Sequence, residues 1–307
     1  MENLLIPASL VAGALLAVQA GANAQLSKAV GSPFGATAIQ LSVGTIALAV
    51  IAALTCTLGT LLALGDARWW HVLGGTASAF YVVSTILLFP RLGAVVSVGL
   101  FIAGQMLASL ALDHFGLLGV PIAPLGTSMM IGGLAVLGGA AAIVLGQQGA
   151  ASTLSASKLG WVALALAAGA VLPVQGAVNA LLRAQIGAPF AVGTVSFLVA
   201  ALSMIVVLLL AMAVLKAPAP GLGGIVRMPW WGWLGGFAGA IYVTTVFVGM
   251  PVIGASAVVG FTVAGQQAAS VLVDRYGWFR LPRRPASSLR LAGVIALLAG
   301  VAVIKGF

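Results

Sequence analysis

Acid is almost missing from this chain. Its 307 residues hold four carboxylate side chains, Glu2, Asp66, Asp113 and Asp274, and two histidines, His71 and His114. A membrane hydrolase or lipid-modifying enzyme normally pairs His, Asp or Glu within its spans, and no such pairing is visible. No HExxH, P-loop or G-x-S-x-G pattern occurs. The expectation is no catalytic residue, no metal ligand and no cofactor. Without a nucleotide-binding domain the chain is not a primary pump by itself. A single cysteine, Cys56, excludes an internal disulfide framework and a cysteine-based metal site. Charged residues of either sign make up 6% of the chain, against about 25% in a soluble domain.

What is abundant is apolar. Hydrophobic residues reach 62% and the mean hydropathy is +1.21. No water-soluble core hides that much apolar surface, so the bilayer is the solvent. The 41 glycines fit helix backbones packing closely in lipid. The net charge of +9 reads as basic residues capping helices and meeting anionic lipid headgroups. Without a basic helix or an RNA-binding motif, the expected partner is membrane lipid and not nucleic acid. The start, Met1 to Gln25, lacks a basic region and Gln19 and Asn23 interrupt its end, so it reads as a retained first helix.

Apolar segments of about 20 residues, enough to cross roughly 30 Å of hydrocarbon, fall near 4–27, 34–64, 70–90, 93–112 and 125–147, and again near 160–182, 189–215, 231–250, 253–273 and 288–304. The second segment of each set is long, which suggests tilt or overhang. The sets are copies. Gly13 to Phe34 aligns with Gly169 to Phe190 at a spacing of 156, with 11 of 22 positions identical. Trp69 to Gly116 aligns with Trp230 to Gly277 at a spacing of 161, with 21 of 48 identical. A five-residue insertion before Trp230, near the loop Ala217 to Gly224, accounts for the change of spacing. Pro121-x-x-Pro124 recurs as Pro282-x-x-Pro285. Shared oiliness does not repeat Trp-Trp, Gln, Asn, Asp and Pro in register.

Five spans per copy is odd, so the second copy enters the membrane upside down. The expected fold is all-α, ten transmembrane helices as two inverted-topology five-helix repeats. The repeats are residues 1–150 and 160–307, joined by a linker at 151–159. Lys and Arg set the orientation. Ten lie in the loops of one side and three on the other. This places both termini outside. Trp69, Trp70, Trp230, Trp231 and Trp233 at helix starts read as an interfacial belt.

Neutral polarity inside the spans is where function concentrates. Gln19 and Asn23 are four residues apart and share a helix face; Gln175 and Asn179 repeat them. Gln105 and Ser109 form another such pair, repeated by Gln266 and Ser270, with Gln267 extra. Tyr81 and Tyr242 match mid-span. Amides and hydroxyls in hydrocarbon need partners. They bind one another as packing glue, or as a set they line a polar substrate cavity at the repeat interface. The second reading is preferred for the set. Pro173, which faces Ala17 in the alignment, frees the Gly169 carbonyl. Asp113 and Asp274 each close the fourth span of their copy before an aromatic-Gly turn. They serve as turn-fixing carboxylates or as coupling or gating groups.

This pattern resembles the drug/metabolite transporter (DMT) superfamily, in particular its YdcZ-like subgroup of bacterial inner-membrane exporters, in the fused two-repeat form. The resemblance rests on Gln19-x3-Asn23, Gly31-x-Pro33, Tyr81, Pro90-x-x-Gly93, Gly104-Gln105-x3-Ser109-x3-Asp113-x-x-Gly116 and their second-copy partners, and covers nearly the whole chain. It implies alternating-access transport, with the antiparallel pair of single-repeat relatives satisfied within one chain, so a functional monomer. The related small multidrug exporters carry a glutamate in their first span. Here Gln19 and Asn23 stand in that span instead, which suits a small polar metabolite better than a naked cation. The reading is a secondary-active or facilitative exporter of such a metabolite across the inner membrane. Alternatives are an organic-cation exporter of the small-multidrug-resistance type and a non-transporting scaffold or receptor.

Overall fold

A computed structural model describes residues 2–92, 94–145, 159–283 and 287–305. Gly93, Lys158, Arg284, Pro285 and all of the expected linker except Leu159 lie outside these. Among the described residues the chain is helical and no strand occurs. The long helices are α1 (Glu2–Val30), α2 (Pro33–Leu54), α4 (Thr76–Leu92), α5 (Ala94–Phe115), α6 (Thr127–Leu145), α7 (Leu159–Ile186), α8 (Pro189–Val214), α9 (Leu234–Ile253), α10 (Ala255–Tyr276) and α11 (Ser288–Lys305). A single turn, α3 (Trp69–Val72), precedes α4. Eight helical segments are long and apolar enough to cross a membrane, and the apolar stretches Thr127–Ile143 and Ser288–Ile304 are shorter.

Local chemistry sets the joints. α1 and α7 end at Gly31 and Gly187, whose φ values of 70° and 79° suit glycine best. Pro33 and Pro189 then open α2 and α8 at the one position where a missing N–H costs nothing. The Ser32 hydroxyl caps α2 by accepting the Gly35 N–H at 3.2 Å.

The long second segment is where the sequence expectation needs correcting. α2 stops at Leu54 rather than overhanging, and the chain continues as a separate 3-10 helix, Leu58–Asp66. The stop is a Schellman arrangement with Cys56 in the left-handed position (φ 54°). The Thr57 N–H reaches the Ala52 carbonyl at 2.8 Å and the Cys56 N–H the Ala53 carbonyl at 3.0 Å. The Thr57 hydroxyl donates to the Ala52 carbonyl as well, at 3.1 Å. An apolar count does not see such a stop, because the residues on both sides of it are oily.

Helix packing follows the sequence repeat. α1 packs on α10 and α5 on α7; α2 packs on α8 and α6 on α11. Small residues make these crossings. A Cβ on Gly13 would fall on the Thr262 carbonyl and one on Gly265 on that of Leu10. Their repeat counterparts, Gly169 and Gly104, meet the Phe101 and Leu166 carbonyls in the same way. Lipid offers no hydrophobic drive for helix association, so backbone-to-backbone approach of this kind supplies dispersion contact instead. α6 and α11 do the same through Gly132 with Gly300 and Gly139 with Gly293.

Candidate functional site

Of the polar positions named from sequence, Gln19, Asn23, Gln175 and Asn179 fall into two layers, one per copy, where the first helix of each copy meets the third helix of the other. In the layer around α7, Gln175 is buried and its amide is paired with the Ser78 hydroxyl of α4, at 3.0 Å from Oε1 and 2.9 Å from Nε2. One turn on, Asn179 is buried and its Nδ2 donates to Ser196 Oγ of α8 at 2.9 Å. The matching layer around α1 has different partners. Gly239 occupies the place of Ser78, with the Gln19 amide against it, and Gln40 occupies the place of Ser196. Asn23 Oδ1 and Gln40 Nε2 are buried there without a hydrogen-bond partner, and so is Asn179 Oδ1 in the other layer. Buried amide atoms left unpaired are costly, about 1–3 kcal/mol each.

The other named residues divide. Tyr81 packs on Phe101, ring centroids 5.1 Å apart. Tyr242 is buried in the main apolar cluster with Met106, Ala177 and Phe261. Gln105 is buried and Gln266 half-buried, and Gln267, the extra residue, is the buried member of its pair. Ser109 is fully buried, and its hydroxyl donates to the Met106 carbonyl of its own helix at 2.9 Å. That is local satisfaction of a hydroxyl in an apolar helix. Ser270 is half-buried. Pro173 sits inside α7, buried, without ending it. Ser78, Ser196 and Gln40 were missed because they differ between copies, and the sequence selection went by what recurs.

The two layers also differ in how the chain forms them. α1 packs on a nearly continuous α9, whereas α7 packs on the equivalent segment as three pieces, α3, the 3-10 turn Leu73–Gly75 and α4, and α9 additionally packs on α7. Beside the Gln175–Ser78 contact lies a cleft of about 450 Å³ lined by Trp70, Thr76, Phe80, Val171, Val174 and Gln175 among others. A second groove, about 290 Å³, runs between α2, α8 and α9 and is apolar apart from Thr244 and Thr245.

The two carboxylates are placed differently. Asp113, buried to 1% exposure, reaches across to the other copy. Its Oδ1 accepts the Ala255 N–H at 2.6 Å and its Oδ2 the Ser256 N–H at 2.7 Å, the first amides of α10. Asp274 instead pairs with Arg290 of α11, Oδ2 to Nη2 at 2.7 Å. Among the described residues no three His, Cys, Asp or Glu side chains gather as a metal site would require.

A repeated, glycine-crossed bundle of apolar helices with neutral amides turned inward is a multi-pass membrane protein. Comparison with known proteins narrows this. Residues 4–142 and 160–303 each match the model of the family described as "Putative inner membrane exporter, YdcZ". The chain belongs to that family. A curated relative, the inner membrane protein YdcZ of Escherichia coli (strain K12), is 30% identical over 59 residues. That match spans 19% of this chain and 40% of the relative's length. A solved crystal structure of a protein 15% identical in sequence superposes with a TM-score of 0.70, covering 98% of this chain and 96% of that one. At that identity the likeness is one of fold.

Proposed function

We propose that the chain is a secondary-active or facilitative transporter that exports a small polar metabolite across the bacterial inner membrane by alternating access. Its ten helices form two inverted five-helix repeats, 1–150 and 160–307, joined by a linker at 151–159. The antiparallel pair is complete within one chain, so the monomer is the functional unit. Both termini lie outside. Reciprocal packing supports the repeat reading: α1 on α10 answers α5 on α7, through matching glycines.

One observation carries the functional reading. Equivalent interfaces of the two copies, α1 with α9 and α7 with the segment from α3 to α4, are built from repeated sequence yet differ: the second is broken into short helical pieces and borders a cleft that reaches Gln175. The cleft wall is mostly aliphatic and aromatic with an amide and a hydroxyl at Gln175 and Thr76. That chemistry suits a neutral or zwitterionic compound with an apolar flank. No carboxylate stands in α1 or α7 beyond Glu2, so nothing central in those helices balances a bare cation.

Ligand-dependent thermal stabilisation tests this on the purified protein. A panel of amino acids, sugars, polyamines, guanidinium compounds and quaternary ammoniums should contain a class that raises the Tm, as mass action requires of any ligand of the folded state. Gln175→Ala should abolish that rise; it also removes the Ser78 pairing, so the unliganded Tm should fall by the worth of about 1 kcal/mol. An equal rise in Gln175→Ala moves the site elsewhere.

A further inference from the structure

We propose that Asp113 is a positioning residue that latches one end of the transport path, and that Asp274 is the matching latch for the other end, held back in this conformation by Arg290. The proposal rests on the two-repeat transporter reading.

Three features of Asp113 go beyond a turn-fixing carboxylate. First, it works across the copies: it ends α5, and the amides it holds begin α10. Second, both its oxygens are used on consecutive N–H groups of one helix start, which supplies the favourable end of the helix dipole. Among the described residues it has no cationic partner, so the helix start is its counter-charge. Third, residue 254 is glycine with φ 88°, a turn between α9 and α10 that glycine suits best, and it sits beside the carboxylate, its Cβ position 3.4 Å from Asp113 Oδ1.

The repeat states what the mirror contact is. Asp274 matches Asp113, and Ala94 and Val95 at the start of α5 match Ala255 and Ser256. A chain in the opposite arrangement would place the Asp274 carboxylate on the Ala94 and Val95 amides. Here Asp274 is instead bound by Arg290 and 26% exposed. The position matching Arg290 is Met129, which offers Asp113 no such partner. The sequence is therefore biased. One latch is free to close, and the other must first leave a buried arginine. Arg290 sets the resting state, and its removal frees the second latch.

Spin-label distances in the full chain, reconstituted with Cys56→Ser, test this without any substrate. Phe115 with Val252 reports the first end, and Tyr276 with Arg91, the repeat-equivalent pair, reports the second; all four residues are exposed. Arg290→Met should lengthen the first distance and shorten the second, each by about 5 Å, the scale of one helical turn. Asp113→Asn should lengthen the first distance while Arg290 still holds Asp274, adding Arg290→Met should then shorten the second, and Asp113→Glu should partly restore the first. If Asp113→Asn folds poorly, Arg290→Met alone decides, since it leaves Asp113 and its amides intact. Unchanged distributions in Arg290→Met overturn the proposal. Lengthening at the first end with no change at the second in the Asp113→Asn, Arg290→Met double variant also overturns it, leaving Asp113 a local cap. Because transport is not read, the transporter assignment stands or falls separately.

Discussion

The first helix of each copy carries the same Gln-x3-Asn face, yet α7 and α1 use it differently. Around α7 both amides have a partner, Ser78 for Gln175 and Ser196 for Asn179, and only Asn179 Oδ1 among their buried amide atoms stays unpaired. Around α1 the partner positions are Gly239 and Gln40, and polar atoms of Asn23 and Gln40 stay unpaired. The α1 layer, with α9, is thus the one with poorer polar pairing, and the α7 layer, with α4, is better paired. Hydrogen bonds contribute more to the second than to the first. Under the proposed alternating access, two differently held joints are expected to open under different conditions.

Substitutions at the crossings and in the two layers test packing and pairing separately. The largest effect is expected at the α1–α10 crossing. Gly265→Val puts a side chain onto the Leu10 carbonyl and should destabilise by about 3 kcal/mol or more, the upper range for overpacking. Gly138→Val, where a Cβ meets nothing, should leave the Tm near wild type. Equal melting of the two would remove packing as the explanation. Next comes pairing. Ser196→Ala strands the Asn179 amide and should cost about 1–3 kcal/mol. Gln40→Met, at the matching position, removes a group whose Nε2 is already unpaired. It should be neutral or stabilising in the same thermal assay. A Gln40→Met loss as large as that of Ser196→Ala would mean the two layers are held alike.

Function should separate the joints more weakly. Gln175→Ala should lower uptake about tenfold, the worth of roughly one hydrogen bond to substrate. Gln19→Ala, in the closed layer, should lower it less when flux is measured from the side on which the α4–α7 cleft opens. The smallest effect is expected for Ser109→Ala. Its hydroxyl serves its own helix, so both melting temperature and uptake should stay near wild type. A tenfold loss of uptake there would return Ser109 to the site.

These outcomes bear on what sequence alone conveys. Helices and repeat were legible because lipid forces every backbone group to pair internally, which leaves long apolar runs as the record. The end of α2 was not, because Cys56 and the flanking threonines stop it by geometry and not by a change of polarity. Gln175 and Asn179 were legible as repeated polar residues, but not Ser78 or Ser196, since a residue that differs between copies looks incidental. Asp113 was visible as an acid at a helix end. That its partner is the start of α10 depends on how the two copies meet, which no local pattern records.

Proteoliposomes on a solid-supported membrane test the central claim most directly. The same compound panel is applied with and without a proton gradient, and electroneutral cases are followed by isotope uptake. The account predicts transport confined to one compound class and reduced about tenfold in Gln175→Ala. Absence of both current and uptake across the panel, from protein shown to be folded, would contradict it and favour a non-transporting scaffold.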